Sequence, residues 1–422
     1  MNHINRCATR NLIVLVVSAF TFVTLSASIP PAWSQEKYKI GAVLPLTGPA
    51  AFIGKAQQKV LKMLVEQFNG SGGVNGLLLE LIIRDSKGNM DGAITAVNIL
   101  HSQERVVAII GPSLTSTTQA VVGTVANKKI PLITLAEGVE IHGSESQWRW
   151  IFQTAPSYAL RIKAALMSMQ SQRISQFIFS GSAPIMNRLK PLVSKVAGEL
   201  GLKMVGDLSY GQKDDSTQII LQLQEKASGI AVLFFDPFLP SRHPKFMSAV
   251  RQWGQTAPNR TPSSFYFLGA GLNPMLYKLN MSPRLTRSIH ARLVVPTFLY
   301  PDLLPCAQDE RKRGILNFAQ LYETKDDERV SVYPFYARDA LKLIEQVLQT
   351  VKSKDRQRIR DQIAQTRAFD GLVGRYDFSR DNHSGLSPLV FRAEAQKDDG
   401  CNPGLYPCRN ECETICCKED GC

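Results

Sequence analysis

Residues 38–86 read YKIGAVLPLTGPAAFIGKAQQKVLKMLVEQFNGSGGVNGLLLELIIRDS. The apolar run Ile40–Leu44 predicts a buried strand, which ends at Pro45. A glycine-rich turn separates the following segment from a second apolar strand at Leu77–Ile83. The segment between the strands predicts a helix, because its apolar residues are spaced by three and four positions at Val60, Leu61, Leu64, Val65 and Phe68.

A strand, a helix and a second strand of these lengths predict a parallel crossover unit, because both strands are too apolar to leave a face in water. In open parallel sheets, small molecules bind just beyond the carboxyl ends of the strands. The Leu46–Gly54 loop follows the first strand at such an end. We therefore predict that this loop contributes to a ligand site.

Predicted strands and helices continue to alternate as far as Leu268. They form two successive doubly wound series, which predict an α/β fold with two similar Rossmann-like lobes. The C-terminal part predicts a long helix at Tyr336–Val351. It also predicts a closing strand pair formed by Gly371–Phe378 and Leu389–Arg392.

The first 34 residues have the pattern of an export signal. Arg6 and Arg10 precede a mostly apolar stretch at residues 11–25, and Ala32-Trp33-Ser34 offers small residues for cleavage. An N-terminal membrane anchor is the alternative, but the apolar run is short and interrupted by hydroxyl residues. We predict a cleaved signal peptide, and a mature chain that is soluble and periplasmic or otherwise exported.

The chain has a formal net charge of +13, and removal of Arg6 and Arg10 lowers this by two. A basic excess can indicate nucleic acid, an anionic membrane or an acidic ligand as partner. Here the basic residues are scattered and are not interleaved with aromatic residues, which favours a solvated basic surface. We predict no nucleic-acid partner.

Four landmarks follow one another along the chain. They are Ile40–Gly54 (IGAVLPLTGPAAFIG), Ala108–Pro131 (AIIGPSLTSTTQAVVGTVANKKIP), Phe335–Val347 (FYARDALKLIEQV) and Phe369–Phe378 (FDGLVGRYDF). Their order and spacing resemble the type I periplasmic solute-binding proteins of ABC transporters, in particular the branched-chain amino acid (leucine/isoleucine/valine) group. The resemblance is more specific to the superfamily than to the solute.

This resemblance implies two lobes, joined by a three-crossover hinge, that close around a solute in the cleft between them. It implies a first lobe of residues 37–157 with 294–362 and a second of residues 158–293 with 363–394. It also implies a monomer that binds a small-molecule solute, uses no cofactor and delivers the solute to ABC permease subunits in the membrane.

Thr115, Ser116 and Thr117 begin a predicted helix just after the strand that ends at Ile110. A helix N-terminus presents free N–H groups, so hydroxyls and backbone donors together suit a carboxylate. Ordinary helix capping is the alternative explanation for these residue types. Because the family presents ligand-binding hydroxyls at these positions, the resemblance favours ligand contact.

The loop after Pro131 supplies Ala136, Glu137 and Gly138. Relatives place small residues and a threonine there, so this chain has lost a hydroxyl and gained an acid. Glu137 either pairs with a ligand ammonium or faces solvent. We predict all three residues as ligand contacts.

The chain departs from the family where relatives hold an α-ammonium. Tyr158 stands where the family often has an acid, and residues 267–272 (FLGAGL) lack another. A buried ammonium needs a paired anion, so either Glu137 supplies it or the solute is a carboxylate that is not an α-amino acid. Phe52, Ile53 and Tyr158 would then supply apolar or stacking contacts.

The C-terminal tail, residues 395–422, contains six cysteines in a region with several turn-forming residues. In an exported protein this density predicts a disulfide-stapled appendage with fifteen possible pairings. Metal binding is less favoured, since no CxxC pair and no nearby histidine occur. Cys306 is either an odd thiol or a partner for one tail cysteine. The six are Cys401, Cys408, Cys412, Cys416, Cys417 and Cys422.

No GxSxG, HExxH or P-loop motif occurs, and the histidines are scattered without recognisable spacing. We therefore predict no enzyme activity, no catalytic residue and no metal site. The favoured function is that of the substrate-binding component of an ABC transporter. The alternative is a periplasmic sensor that reports the same class of solute to a signalling receptor, and neighbouring permease or kinase genes would separate the two.

Overall fold

The structure is a computed structural model that describes residues 36–139, 146–211, 216–227, 229–235, 264–268, 291–296, 309–323, 330–379, 383–386 and 391–395. Three predictions concern residues outside these ranges: the signal peptide, Cys306 and the cysteines of the tail.

Strands and helices alternate in the first part of the chain, as the opening stretch predicts. The elements are β1 (Lys37–Leu44), α1 (Ala51–Gly70), β2 (Leu78–Asp85), α2 (Met90–Ser102), β3 (Ala108–Ile110), α3 (Thr115–Lys128), β4 (Leu132–Thr134) and β5 (Ile151–Gln153). They form a five-stranded sheet in the order β2-β1-β3-β4-β5, in which β1–β3, β3–β4 and β4–β5 are parallel pairs. The end of β1 is fully buried at Ala42, Val43 and Leu44, as expected for a strand that is covered on both faces.

The next part of the chain builds a second sheet. Its elements are α4 (Tyr158–Ser171), β6 (Gln176–Ser182), α5 (Ala183–Glu199), β7 (Lys203–Tyr210), α6 (Ser216–Lys226), β8 (Ala231–Phe235), β9 (Phe265–Phe267), β10 (Ala291–Pro296) and β13 (Phe391–Ala395). The six strands lie in the order β13-β10-β9-β8-β6-β7. All pairs are parallel except β10–β13. The predicted α/β fold with doubly wound parallel sheets is confirmed.

The remaining elements are α7 (Asp309–Glu323), α8 (Val332–Val351), α9 (Arg356–Gln365), β11 (Phe369–Asp370) and β12 (Arg375–Tyr376). Helix α8 packs against α1. The Asn75 side chain fastens the turn after α1 to the end of α8 by donating to the Leu348 carbonyl at 2.8 Å. This packing brings the first turn of α8, with Tyr333 and Tyr336, to the side of the first sheet where α1 begins.

The predicted pairing of Gly371–Phe378 with Leu389–Arg392 is wrong. Strand β12 pairs with β11, and β13 pairs with β10 at the edge of the second sheet. The turn between β11 and β12 closes through a hydrogen bond from the Gly371 N–H to the Gly374 carbonyl. A hairpin this short costs little loop-closure entropy, so it forms in preference to a pairing across a longer segment.

Helix α2 was not among the predicted elements. It begins after Asn89, whose side chain accepts a hydrogen bond from the Gly92 N–H, as an N-cap residue does. Its buried face consists of Ala93, Ala96, Val97 and Leu100. The cap residue and this spacing were the available signals. Among the described residues, no helix combines the length and the apolar composition needed to cross a bilayer.

Candidate functional site

The N-terminal end of α3 is open. Its cap residue is Leu114, whose apolar side chain makes no capping hydrogen bond. Within the described part of the chain, no acceptor is bonded to the N–H groups of Thr115, Ser116 and Thr117. These three donors carry the positive end of the helix dipole. The end of α3 can therefore accept an anionic group.

The three predicted hydroxyl residues differ in their surroundings. Thr115 is half-buried and Ser116 is exposed. Thr117 is buried and donates its hydroxyl hydrogen to the Leu114 carbonyl at 2.9 Å, which ties it to its own turn. Of these three residues, Thr115 and Ser116 have hydroxyl groups that make no hydrogen bond to another described residue.

The side chain of Gln57 in α1, which bonds to Ser113 just before α3, provides a further donor. Ser113 donates to the Gln57 Oε1 atom at 2.5 Å, and both side chains are buried. The Nε2 group of Gln57 has no hydrogen-bond partner in the described residues. An unsatisfied buried amide is costly, so a ligand acceptor or an ordered water is expected there.

Ala136, Glu137 and Gly138 lie in the loop after β4, as predicted, but the three residues have different environments. Ala136 is buried, and its carbonyl accepts from the Gln153 Nε2 atom at 2.6 Å. This bond from Gln153 fixes the backbone of the loop at Ala136. The Glu137 carbonyl accepts from the Tyr158 N–H at 3.2 Å.

Glu137 pairs with protein groups through both carboxylate oxygens. Arg161 Nη2 lies 2.9 Å from Oε2, and the Tyr336 hydroxyl donates to Oε1 at 2.6 Å. The Arg161 side chain is 1% exposed and that of Glu137 is 11% exposed. Neither of the two outcomes predicted for Glu137 describes this arrangement, because it is an ion pair inside the protein.

Electrostatics favour the charged form of Arg161 and the neutral form of Tyr336. Burial opposes the charge of Arg161, but the Glu137 carboxylate, its hydrogen bond to Arg161 and the neighbouring Tyr336 and Tyr158 phenols together outweigh burial, and the pKa of Arg161 is raised. Burial and the Glu137 charge raise the pKa of the Tyr336 phenol well above its ordinary value. Tyr336 therefore stays protonated and serves as a donor to Glu137.

The side chains of three residues converge at Gly138: Thr115, Tyr158 and Arg188. We call these three residues and Gly138 the Gly138 cluster. A Cβ atom at Gly138 would lie 2.5 Å from Thr115 Oγ1, 2.9 Å from the Tyr158 ring and 3.2 Å from Arg188 Nη2. A glycine is required because any side chain would collide with these groups. The cluster joins the loop after β4 and the open end of α3 to helices α4 and α5.

Aromatic rings surround the charged groups. The Tyr158 ring contacts Phe235 edge to face at 5.0 Å between centroids, and the Arg188 guanidinium lies 5.0 Å from the Tyr158 centroid. Burial, followed by the charge of Glu137, raises the pKa of the Tyr158 phenol. Its hydroxyl is thus a neutral hydrogen-bonding group beside two guanidinium groups.

Phe52 and Ile53 occupy opposite environments at the start of α1. Phe52 is 56% exposed, and its ring contacts Tyr333 edge to face at 5.9 Å. Tyr333 in turn contacts Tyr336 at 6.4 Å. Ile53 is buried. Phe52 therefore extends an aromatic surface from Tyr336 outward, whereas Ile53 lies in the interior.

The first residues of the predicted Leu46–Gly54 loop are held by Asp85 at the end of β2, whereas residues from Ala51 onward already belong to α1. Oδ1 of Asp85 accepts from the N–H groups of Leu46 at 2.8 Å and Lys87 at 2.7 Å, and Oδ2 accepts from the Thr47 hydroxyl at 2.7 Å. Partial desolvation would raise the pKa of Asp85, but these hydrogen bonds outweigh it and lower the pKa below its ordinary value.

Acid should therefore destabilise the chain through Asp85. A carboxylate with a lowered folded-state pKa stabilises the fold fully above its unfolded pKa of about 3.9 and loses that contribution as the pH falls through the folded-state pKa. Urea unfolding between pH 7 and pH 3 should show a fall below about pH 4 that is weaker in Asp85→Asn. Asp91→Asn, an exposed carboxylate in α2, is the control, and an unchanged pH dependence in Asp85→Asn would contradict the role of Asp85.

Four residues of this site were not predicted as contacts: Arg161, Arg188, Tyr333 and Tyr336. The two tyrosines are close to or within the landmark that begins at Phe335, so their position was available as a signal. The two arginines lie on helices without any local motif. In the described ranges, no group of three or more His, Cys, Asp and Glu side chains could hold a metal ion.

A family model described as "Periplasmic binding protein" matches residues 37–399. The Leu/Ile/Val-binding protein homolog 7 of Brucella abortus (strain 2308) is 34% identical over 102 residues, which cover 24% of this chain and 24% of that protein. The alignment thus spans about a quarter of the length of this relative. The chemotactic signal transduction system substrate-binding protein BasB of Halobacterium salinarum is 26% identical over 123 residues, 28% of this chain and 30% of that protein.

A solved structure extends the similarity to the fold of most of the chain. The branched-chain amino acid transporter substrate binding protein LivJ of Streptococcus pneumoniae, in complex with isoleucine, superposes with a TM-score of 0.61 at 18% sequence identity. The match covers 83% of this chain and 94% of that protein. At this identity the similarity concerns the fold alone.

Proposed function

Because the chain belongs to the periplasmic binding protein family, we propose that it binds a small carboxylate-bearing solute, a branched-chain amino acid or a related acid. We propose further that it is an exported monomer without enzyme activity that delivers this solute to ABC permease subunits. The name of the Brucella relative supports this solute class.

The observation that carries the proposal is the open N-terminal end of α3. Three backbone N–H groups and the Thr115 hydroxyl have no protein acceptor in the described residues, and the Arg188 guanidinium lies at the same glycine. A carboxylate would satisfy these donors with charge-assisted hydrogen bonds. In this proposal Thr115, Ser116 and the loop after β4 that contains Gly138 contact the carboxylate. Tyr158 and Phe52 contact the body of the solute.

Closure would follow from contacts that the solute makes on both sides of the cleft. We assign the two sides to the predicted lobes, residues 37–157 with 294–362 and residues 158–293 with 363–394. Thr115 and Gly138 lie on the first side, and Tyr158 and Arg188 on the second. A solute that bonds to both sides favours the closed state by its differential affinity.

Sensing is the second candidate function. The similarity to BasB, named as a substrate-binding protein of a chemotactic signal transduction system, favours it. The solute site would be the same, and only the recipient of the closed form would differ. Co-purification of the tagged chain with a permease supports transport, and co-purification with a transducer supports sensing.

Replacing Thr115 by valine should weaken solute binding about tenfold, because one hydrogen bond to a charged group contributes about 1.5 kcal/mol or more. Calorimetric titration with leucine, isoleucine, valine and their deaminated acids measures this. Thr124→Val, a half-buried threonine on the same helix, is the matched control. Absence of heat with every member of the panel would remove the proposed function, and equal weakening by the control would remove the role of Thr115.

A further inference from the structure

The charges around the Gly138 cluster narrow the class of solute. We propose, building on the proposed function, that the solute is a monocarboxylate without an ammonium group and that Arg188 is the residue that selects it. The proposal concerns specificity at the same site, and it rests on three sets of contacts.

The first set of contacts occupies Glu137, which is the acid that could otherwise hold an ammonium group of the solute. Both oxygens of Glu137 are bonded, to Arg161 at 2.9 Å and to Tyr336 at 2.6 Å. An ammonium would have to share this carboxylate with a guanidinium that is 1% exposed and already neutralises its charge, and weakening the hold of a buried guanidinium on its counter-ion is costly. Glu137 is therefore committed to Arg161 and is not a recognition group for the solute.

The second set of contacts leaves the positive charge of Arg188 in excess at the site. Arg188 is an exposed residue of α5 whose guanidinium lies 5.0 Å from the Tyr158 ring centroid and approaches Gly138, and no carboxylate of the described residues forms an ion pair with it. Lys190, two residues further along α5, pairs with Asp207 of β7 at 2.8 Å, and this pair adds no net charge. Glu137, Arg161 and Arg188 together thus carry a net charge of plus one, which one carboxylate neutralises.

The third set of groups consists of hydrogen-bond donors that have no acceptor within the described residues. They are the N–H groups at the start of α3, the Thr115 hydroxyl and the buried Nε2 group of Gln57. Donors bind acceptors, so a carboxylate is stabilised here. An ammonium would add donors, would be repelled by Arg188 and would lose its water without a paired anion.

The apolar part of the solute would meet the rings of Phe52 and Tyr333 and the ring of Tyr158, which the buried Phe235 supports from the interior. These rings contact one another or their neighbours edge to face. Such a surface accepts a branched alkyl or an aryl body. The preferred solute is therefore an acid with one carboxylate and an apolar or aromatic body.

Two pairs of probes that differ only in the ammonium group test the proposal on the full-length mature chain. They are leucine with 4-methylpentanoate and phenylalanine with 3-phenylpropanoate. We expect at least one deaminated acid to bind at least about tenfold more tightly than its amino acid in calorimetric titration. Tighter binding of leucine or phenylalanine would overturn this inference and leave the proposed function intact. Absence of binding in both series would overturn both.

Variants separate the role of Arg188 from general electrostatics. Arg188→Gln should weaken binding of the deaminated acid at least about tenfold and reduce its advantage over the amino acid, with an unchanged melting temperature. Lys195→Gln removes the same charge from another exposed position of α5, since both residues are exposed, and should leave binding unchanged. An Arg188→Gln chain that keeps both affinity and preference would show that Arg188 does not select the solute.

Discussion

Replacement of Glu137 by glutamine should lower the free energy of unfolding by about 3–5 kcal/mol, because it leaves the Arg161 charge buried without this carboxylate. Glutamine keeps the size of the side chain and can still accept from the Tyr336 hydroxyl, so the change isolates the charge. Urea unfolding followed by circular dichroism measures the difference. The effect should persist in high salt, since a buried pair is screened only weakly.

Two controls frame this result. Asp207→Asn breaks an exposed ion pair of nearly equal length, with Lys190 at 2.8 Å, and should cost less than about 1 kcal/mol. The double variant Glu137→Leu with Arg161→Met removes both charges and should recover much of the loss, because apolar residues of similar size replace a buried pair at little cost. A Glu137→Gln chain as stable as the parent would refute the buried pair as a source of stability.

The fold was predictable where sequence pattern and burial coincide. The apolar run at Ile40–Leu44 forms the buried end of β1, and the residues after Ile110 begin α3 at Thr115 as expected. The predicted family and the α/β fold are confirmed by the match over residues 37–399 and by the two parallel sheets. Local periodicity was sufficient at strands such as β1 and β8, which are buried along most of their length.

Tertiary pairings were less accessible to sequence reasoning. Glu137 bonds to Arg161 and to Tyr336, which is 199 residues away, and no local pattern records a partner at that distance. The same holds for β13, whose partner β10 lies about a hundred residues earlier. The contacts of the predicted site with a solute stay predictions, and the Glu137–Arg161 pair is the finding that most changes the chemistry expected there.

Replacement of Asp339 by alanine should destabilise the chain by at least about 3 kcal/mol. Asp339 is fully buried on α8, and it accepts from the N–H groups of Leu372 at 3.0 Å and Val373 at 2.9 Å and from the Tyr376 hydroxyl at 3.1 Å. Arg338 also donates to it, at 2.6 Å. Alanine leaves two buried N–H groups of the β11–β12 turn unsatisfied, and a shift in the urea midpoint measures the loss.

Asp370→Ala is the matched control for the Asp339 variant, because Asp370 lies in the same hairpin with a side chain that is 70% exposed, and it should cost less than about 1 kcal/mol. The loss at Asp339 should also reach the site. The Tyr376 hydroxyl shares its one hydrogen between Asp339 and the Thr154 carbonyl, which lies at 2.9 Å, and the Thr154 hydroxyl donates to the Tyr336 carbonyl at 2.9 Å. Asp339 thus helps to hold the helix turn that presents Tyr336 to Glu137, so solute affinity should fall together with stability. Equal urea midpoints for the two aspartate variants would contradict this role.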